Sequence, residues 1–458
     1  MRTRVLSFVL LAGWLAAFSP DARAQVSPAG QGAMLRPPPV SDGPSSNQVG
    51  AEEKSNYLRL GVQFRVAYID NLFAGSSTGT ISETTYSIYP TIAFDTATYR
   101  HQLTVSYNPG FTFYHPTSAL NEVDQNATVN YLFRVTPHVS IDANDRFLKT
   151  SSSYGSSSSS FSVGSNASSG APQVIITPYA AFLTNGANGS LSWQFRPTGM
   201  IGFSGSSFIL RYPNQTLVPG LYESDQVGGG FFYSHRITGT QYIGADYRYG
   251  RTVASPQGAE FETQTHTIYF FYTIYPKEHL SISVSGGPQY YQANQTSSTS
   301  SGLTGQQGTL GQTFIPSSSA WTPAVVTSVA WQGLHTNLGG SYARTVTAGG
   351  GLLGTFASNS VSATGRWQMA PKWTSGVSAG YSTIKTVDPG LFSSTQGGHT
   401  LLGAVTLEHP IIRDRFITSF EYNHVHQNYN GIAVISANPD SNRFMGTISW
   451  QFARPLGR

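Results

Sequence analysis

Residues 58–68, Leu-Arg-Leu-Gly-Val-Gln-Phe-Arg-Val-Ala-Tyr, alternate without a break. Leu58, Leu60, Val62, Phe64, Val66 and Tyr68 are apolar, whereas Arg59, Gly61, Gln63, Arg65 and Ala67 are polar or small. Successive side chains of a strand point to opposite faces, so this stretch predicts a strand with one oily and one wet face. Its length suits a tilted strand crossing a hydrocarbon layer, for which about 9–11 residues suffice. Similar segments recur to the C-terminus. Eighteen can be counted between 58–68 and 443–452; several are weak, notably the glycine-diluted stretches 200–208, 225–234 and 337–345, so sixteen is the alternative count. The fold class this predicts is all-β: a transmembrane antiparallel up-and-down barrel with an even number of strands.

The connections keep a second rhythm. Residues 69–83 make a long gap, 97–100 a short one, 114–122 a moderate one and 136–138 a short one. The alternation continues with 148–185 and 196–199, 291–320 and 332–336, and 346–358 and 370–372. Short gaps carry turn chemistry, such as Arg196-Pro197-Thr198-Gly199 and Ala370-Pro371-Lys372. Outer-membrane barrels pair short periplasmic turns with longer extracellular loops, which puts both termini in the periplasm. Trp193, Trp331, Trp367 and Trp373 lie within a few residues of short turns, and Trp450 lies near the C-terminal end. These five are expected to form a periplasmic aromatic girdle; Trp321 alone sits beside a long gap.

Composition narrows the class. Charged residues make up 10% of the 458, against about 25% in ordinary soluble proteins. Aromatic residues are at 13%, with 48 Gly. Such a chain suits one face in lipid and one toward a polar lumen. There is no cysteine, hence no disulfide framework or thiolate metal site. The net charge of +4 is small and scattered, which argues against nucleic acid as a partner.

Four segments follow. Residues 1–24 read as a secretory signal, with Arg2 and Arg4 before an apolar run and Ala22-Arg23-Ala24 at the cleavage site. Gln25 rather than Cys follows it, so the mature chain is not expected to be a lipoprotein. Residues 25–56, with Pro37-Pro38-Pro39, read as a flexible periplasmic tail, 57–452 as the barrel and 453–458 as a short tail. No later apolar run is long enough for a membrane helix.

Strand phase places Arg59, Arg65, Asp95, Asp124, Arg134, Asp142, Arg146, Asp246, Arg248, Arg344 and Arg366 on the luminal side. Charges of both signs on a lumen wall set ion selectivity and orient polar solutes, or simply pair across strands. Only five of the 26 basic residues are Lys, and the arginine forks suit contact with carboxylates, phosphates or sugars. Asp145 breaks phase with Val139, Ile141 and Ala143, which predicts a strand end near 144 or a bulge. Asp70-Asn71 reads as an Asx-type turn rather than a divalent-ion pair. His424 and His426 share a face, but without a third ligand they do not make a metal site. Ser234 and His235 fall on opposite faces, and no catalytic constellation is visible. Neither enzyme activity nor a cofactor is expected.

Three short motifs stand out in residues 58–150: Tyr68-Ile69-Asp70-Asn71-Leu72-Phe73, Tyr107-Asn108-Pro109-Gly110-Phe111, and Thr136-Pro137-His138 leading into Ile141-Asp142 and Asp145-Arg146-Phe147. On these motifs the segment resembles the porin-2-like outer-membrane β-barrel proteins of Gram-negative bacteria, a group that includes barrels encoded with exopolysaccharide machinery. The last strand, ending Trp450-Gln451-Phe452, resembles the signal read by the barrel-assembly machinery, although Ala453 to Arg458 follow the terminal aromatic. The expected function is a porin-like channel for small hydrophilic solutes or oligosaccharides, set in outer-membrane lipid and lipopolysaccharide. An accessory barrel for exopolysaccharide export and a secreted β-rich adhesin are the alternatives.

Overall fold

The two-residue repeat of 58–68 survives in three dimensions, with its apolar set outward. Phe64, Val66 and Tyr68 are exposed by 51, 50 and 45%, whereas Arg65, Ala67 and Ile69 are exposed by 7, 1 and 2%. This is the inverse of a soluble core, and it is stable only when the outer solvent is lipid. The computed structural model describes residues 57–72, 81–150, 181–213, 221–255, 259–298, 312–348, 352–387, 397–412, 415–430 and 440–455. The signal and tail segments 1–24 and 25–56 lie outside the described residues, as do Phe73 and 456–458.

The strands are β1 (Tyr57–Ile69), β2 (Glu83–Ala97), β3 (His101–His115), β4 (Glu122–Thr136), β5 (Val139–Thr150) and β6 (Phe182–Arg196). They continue with β7 (Gly199–Arg211), β8 (Ser224–Thr238), β9 (Gln241–Ala254), β10 (Ala259–Lys277), β11 (Leu280–Ser298) and β12 (Gln312–Gln332). The last six are β13 (Thr336–Ala348), β14 (Thr355–Ala370), β15 (Trp373–Thr386), β16 (Gly397–Ile412), β17 (Phe416–Asn430) and β18 (Asp440–Pro455). Each pairs antiparallel with its sequence neighbours, and β1 pairs with β18 from Tyr57↔Pro455 to Ile69↔Arg443. The ring of 18 strands is therefore closed, and no strand is left at the edge of the sheet. Register transmits the phase: Phe64 lies opposite Ile88 on β2 and Ile448 on β18, and all three point outward. The short turns share one end of the cylinder with Tyr57 and Pro455, here called the turn end; the opposite end is the loop end. No helix among the described residues is long and apolar enough to cross a membrane.

Two expectations need correction. Residues 291–298 and 312–320 belong to β11 and β12 rather than to a loop, while 299–311 lie outside the described residues. Both segments are rich in Ser, Thr, Gln and Asn at odd and even positions alike, so the sequence carries no apolar alternation there to read. Nor does β5 end or bulge at Asp145. It pairs with β6 in unbroken register to Thr150↔Phe182, leaving Asp145 on the outer wall, where its carboxylate accepts a 3.0 Å hydrogen bond from Asn185 Nδ2. Of the expected loop 148–185, residues 148–150 and 182–185 are strand and 151–180 lie outside the described residues.

Candidate functional site: the lumen and its loop-end constriction

An 18-stranded ring is wide enough to leave a channel, so the chemistry of its inner wall decides what the interior can do. Arg59 forms an ion pair with Asp95 of β2 at the turn end. Deeper in, Arg65 is buried with its guanidinium 4.7 Å from the centre of the Tyr89 ring, and its Nη2 donates to Gln63 Oε1 at 3.4 Å. The Tyr89 hydroxyl and Thr112 Oγ1 both donate to Asp124 Oδ2 at 3.2 Å. This patch explains Gly110: a Cβ there would stand 2.2 Å from Tyr89 Cε1, so only glycine lets the ring lie flat on the wall.

On the other side of the ring Arg248 Nε donates to Asp246 Oδ2 at 2.6 Å, and its guanidinium sits 5.4 Å from the Tyr269 ring centre. Arg366 reaches over β15 to Glu408 of β16, Nη2 to Oε2 at 2.7 Å. Arg134 and Asp142 are exposed on the inward phase of β4 and β5, and Arg146 is half-buried there. Three luminal arginines are thus neutralised by a carboxylate on the wall itself. Glu408 is the one partner of these pairs that strand phase had not singled out, although Thr406 and Glu408 share the inward phase of β16.

Arg344 differs from expectation. It is the cross-strand partner of Val325 and Asn359, on the same face as Leu338, Tyr342 and Val361, so it projects outward and is exposed. Gly339 and Gly340 erase the alternation that would have set its phase. A long guanidinium side chain near the loop end can reach the lipid–water boundary from there.

At the loop end the lumen is bridged. Phe182, Leu210, Tyr212, Leu221, Leu352, Phe356, Ile384 and Tyr429 form one buried apolar cluster. β6, which carries Phe182, and β15, which carries Ile384, stand diametrically opposite in the strand order. The Tyr429 hydroxyl is satisfied by Thr400 Oγ1 at 2.5 Å, and burial pushes the Tyr212 hydroxyl well above the ordinary tyrosine pKa. These residues come from separate strands and from the flanks of loops, so no local pattern could bring them together.

Outside, Trp193, Trp331, Trp367, Trp373 and Trp450 all point outward near the turn end. Histidines join them: His409 stacks on Trp373 at 4.3 Å and His101 on Phe133 at 4.6 Å. Toward the loop end, Trp321 lies 5.3 Å from Tyr290, and the Tyr247 hydroxyl meets His266 Nδ1 at 2.8 Å. His424 and His426 belong to this outer surface, where they meet Asn442 at 2.8 Å and Asp440 at 2.6 Å. No group of three or more metal-ligating side chains occurs among the described residues. Ser234 is buried on the inward face and His235 lies outward beside Tyr233. Asp70 and Asn71 are not a local turn pair; they stitch β1 to β18. Asp70 accepts from the backbone N–H and Nδ2 of Asn442, and Asn71 Nδ2 donates to the Asp440 carbonyl at 2.8 Å.

No family model matches the chain, and no curated protein matches it. Among solved structures it is similar to the ferric-catecholate import receptor Fiu of E. coli K12 in its open form, with a TM-score of 0.45 and 8% identity over 88% of this chain and 82% of that one. OccAB3 of Acinetobacter baumannii gives a TM-score of 0.41 and 8% identity over 87% and 99%, and OpdO of Pseudomonas aeruginosa 0.40 and 10% over 87% and 97%. Nothing about solute or partner is carried over from these distant likenesses. By its own strand order the chain is a closed 18-stranded β-barrel of the transmembrane type.

Proposed function

We propose that the protein is an outer-membrane channel for small hydrophilic solutes or oligosaccharides, with both termini in the periplasm and lipopolysaccharide around its loop end. Residues 1–24 would direct export and be removed, and the last strand would be read by the barrel-assembly machinery. The observation that carries this is the pairing of an apolar outer wall with an ion-lined lumen. A structural barrel has no need of buried arginines in its interior, whereas a conduit lined by both signs of charge can exchange its own hydration for that of a polar solute. Passage would be diffusive, with the apolar bridge at the loop end limiting what enters. Of the long gaps 148–185 and 291–320, residues 151–180 and 299–311 lie outside the described residues.

Purified protein in planar bilayers is expected to give discrete current steps with weak ion preference, because three of the luminal arginines are paired with carboxylates on the wall. A barrel that shifts in gel migration on heating yet passes no current in any salt would overturn the proposal. Glu408→Gln sharpens the test. It leaves the Arg366 guanidinium without its carboxylate, so the reversal potential in a salt gradient should move toward that of chloride.

A further inference from the structure

One strand pair is incomplete. β12 and β13 are partnered from Gln332↔Asn337 only as far as Val325↔Arg344, although β12 continues with β11 to Gln312 and β13 continues with β14 to Ala348. Pro323, with no N–H to donate, lies just beyond the last pair. Past Arg344 the end of β13 leaves the wall for the lumen: Val346 and Ala348 keep the phase of outward Leu338 but are buried. Gln289, on the luminal face of β11 and itself 4% exposed, takes over the backbone that β12 has released. Its Nε2 donates to the Val346 carbonyl at 3.0 Å, and its Oε1 accepts the Val346 N–H at 2.7 Å. A side-chain amide is here doing what a neighbouring strand would do. Where β14 begins, Thr355 Oγ1 meets Thr263 Oγ1 of β10 at 2.8 Å, with both residues buried. The next residue, Phe356, enters the apolar bridge.

We propose that Gln289 is the positioning residue of a gate: the loop-end portions of β13 and β14 close the lumen, held by Gln289 at Val346 and by Thr263 at Thr355. This rests on the channel reading above. In the open state the end of β13 returns to the wall, where β12 from Ala324 to Trp321 offers an edge interrupted only at Pro323. The two hydrogen bonds to Gln289 are exchanged for ladder bonds, and Leu352 and Phe356 withdraw from the bridge. Because backbone groups find partners in both arrangements, the two states lie close in free energy, as a switch requires.

The absence of cysteine makes the test clean. Thr263→Cys with Thr355→Cys places two sulfurs where hydroxyls now stand 2.8 Å apart, close to the geometry of a disulfide. In planar bilayers the oxidised double variant is expected to lose its openings and a thiol reductant to restore them. Gln289→Ala and Gln289→Leu should both raise the open fraction roughly tenfold, the size expected for losing two buried hydrogen bonds. The leucine variant keeps the volume, so its agreement with alanine would assign the effect to the amide. Retention of heat-modifiable migration verifies folding in each case. Wild-type current unchanged by the cross-link and by both substitutions would overturn the gate and leave the channel standing. Folded barrels silent in every variant, reduced or oxidised, would overturn both.

Discussion

Val377→Arg is expected to keep the barrel from assembling in the membrane, while Ser378→Arg, one residue along, is expected to be tolerated. Val377 points outward with 53% exposure, between Gly365 of β14 and Val405 of β16. On the same strand Trp373 and Tyr381 also point outward on either side of it, each roughly 10 Å away at ordinary strand rise and tilt. That is the middle of an apolar band about 25 Å tall, where an arginine on the lipid face costs about 2–4 kcal/mol. Ser378 faces the lumen between Thr364 and Ala404 and is half-buried, so a guanidinium there keeps its contact with a polar interior. The heat-modifiable fraction recovered from membranes, together with the urea midpoint of the refolded barrel, would measure both. The opposite ranking would mean that the wall is inside out.

That contrast depends on the feature most legible in the sequence. A strand carries its own phase, so 58–68 shows which side chains face lipid without any knowledge of its neighbours. Register then only has to agree, as it does where Phe64 meets Ile88 and Ile448. The glycine-diluted stretches are strands all the same, because Gly228 is held between Ser206 and Gly250 by backbone pairing that needs no side chain. Their side-chain phase is what was lost, and Arg344 was misplaced for that reason. Asp145 failed differently. An outward carboxylate looks like a broken strand, yet acidic groups cost less on the lipid face than arginine or lysine, and Asn185 supplies a bond that no reading of β5 alone could find.

The interior was legible only as a list of charges. Which arginine meets which carboxylate depends on register between strands, and Arg366 with Glu408 even skips a strand. The constriction was not legible at all. Phe182 and Phe356 fall in the gaps 148–185 and 346–358 of the sequence pattern, and only the closure of the ring brings them together. Gln289 is the extreme case: its role exists because a strand elsewhere stops pairing early.

Gly287→Ala is expected to destabilise the barrel severely, against the usual direction for such a change. In a strand interior alanine ordinarily gains about 0.5–1 kcal/mol over glycine. Here a Cβ would lie 1.9 Å from the backbone carbonyl oxygen of Ile268 on β10. The approach has a local cause. Between the pairs Thr267↔Gln289 and Phe270↔Gly286 the register between β10 and β11 is unchanged but the two intervening pairings are missing, and Pro288 has no N–H with which to hold the Ile268 carbonyl in line. The carbonyl leans over Gly287 instead. It cannot easily withdraw, because Ile268 is paired with Tyr247 of β9 and the adjoining Tyr269 is buried against Ala324 and Val326. Relief requires the wall to move, which costs about 1–3 kcal/mol or more for overpacking. Gly403 supplies the control: nothing stands within 4 Å of its Cβ position, so Gly403→Ala should match or slightly exceed the wild type. Urea midpoints of the two variants should therefore fall on opposite sides of the parent. If they coincide, β10 does not approach β11 so closely at Gly287, and the seating of Gln289 two residues along loses its support.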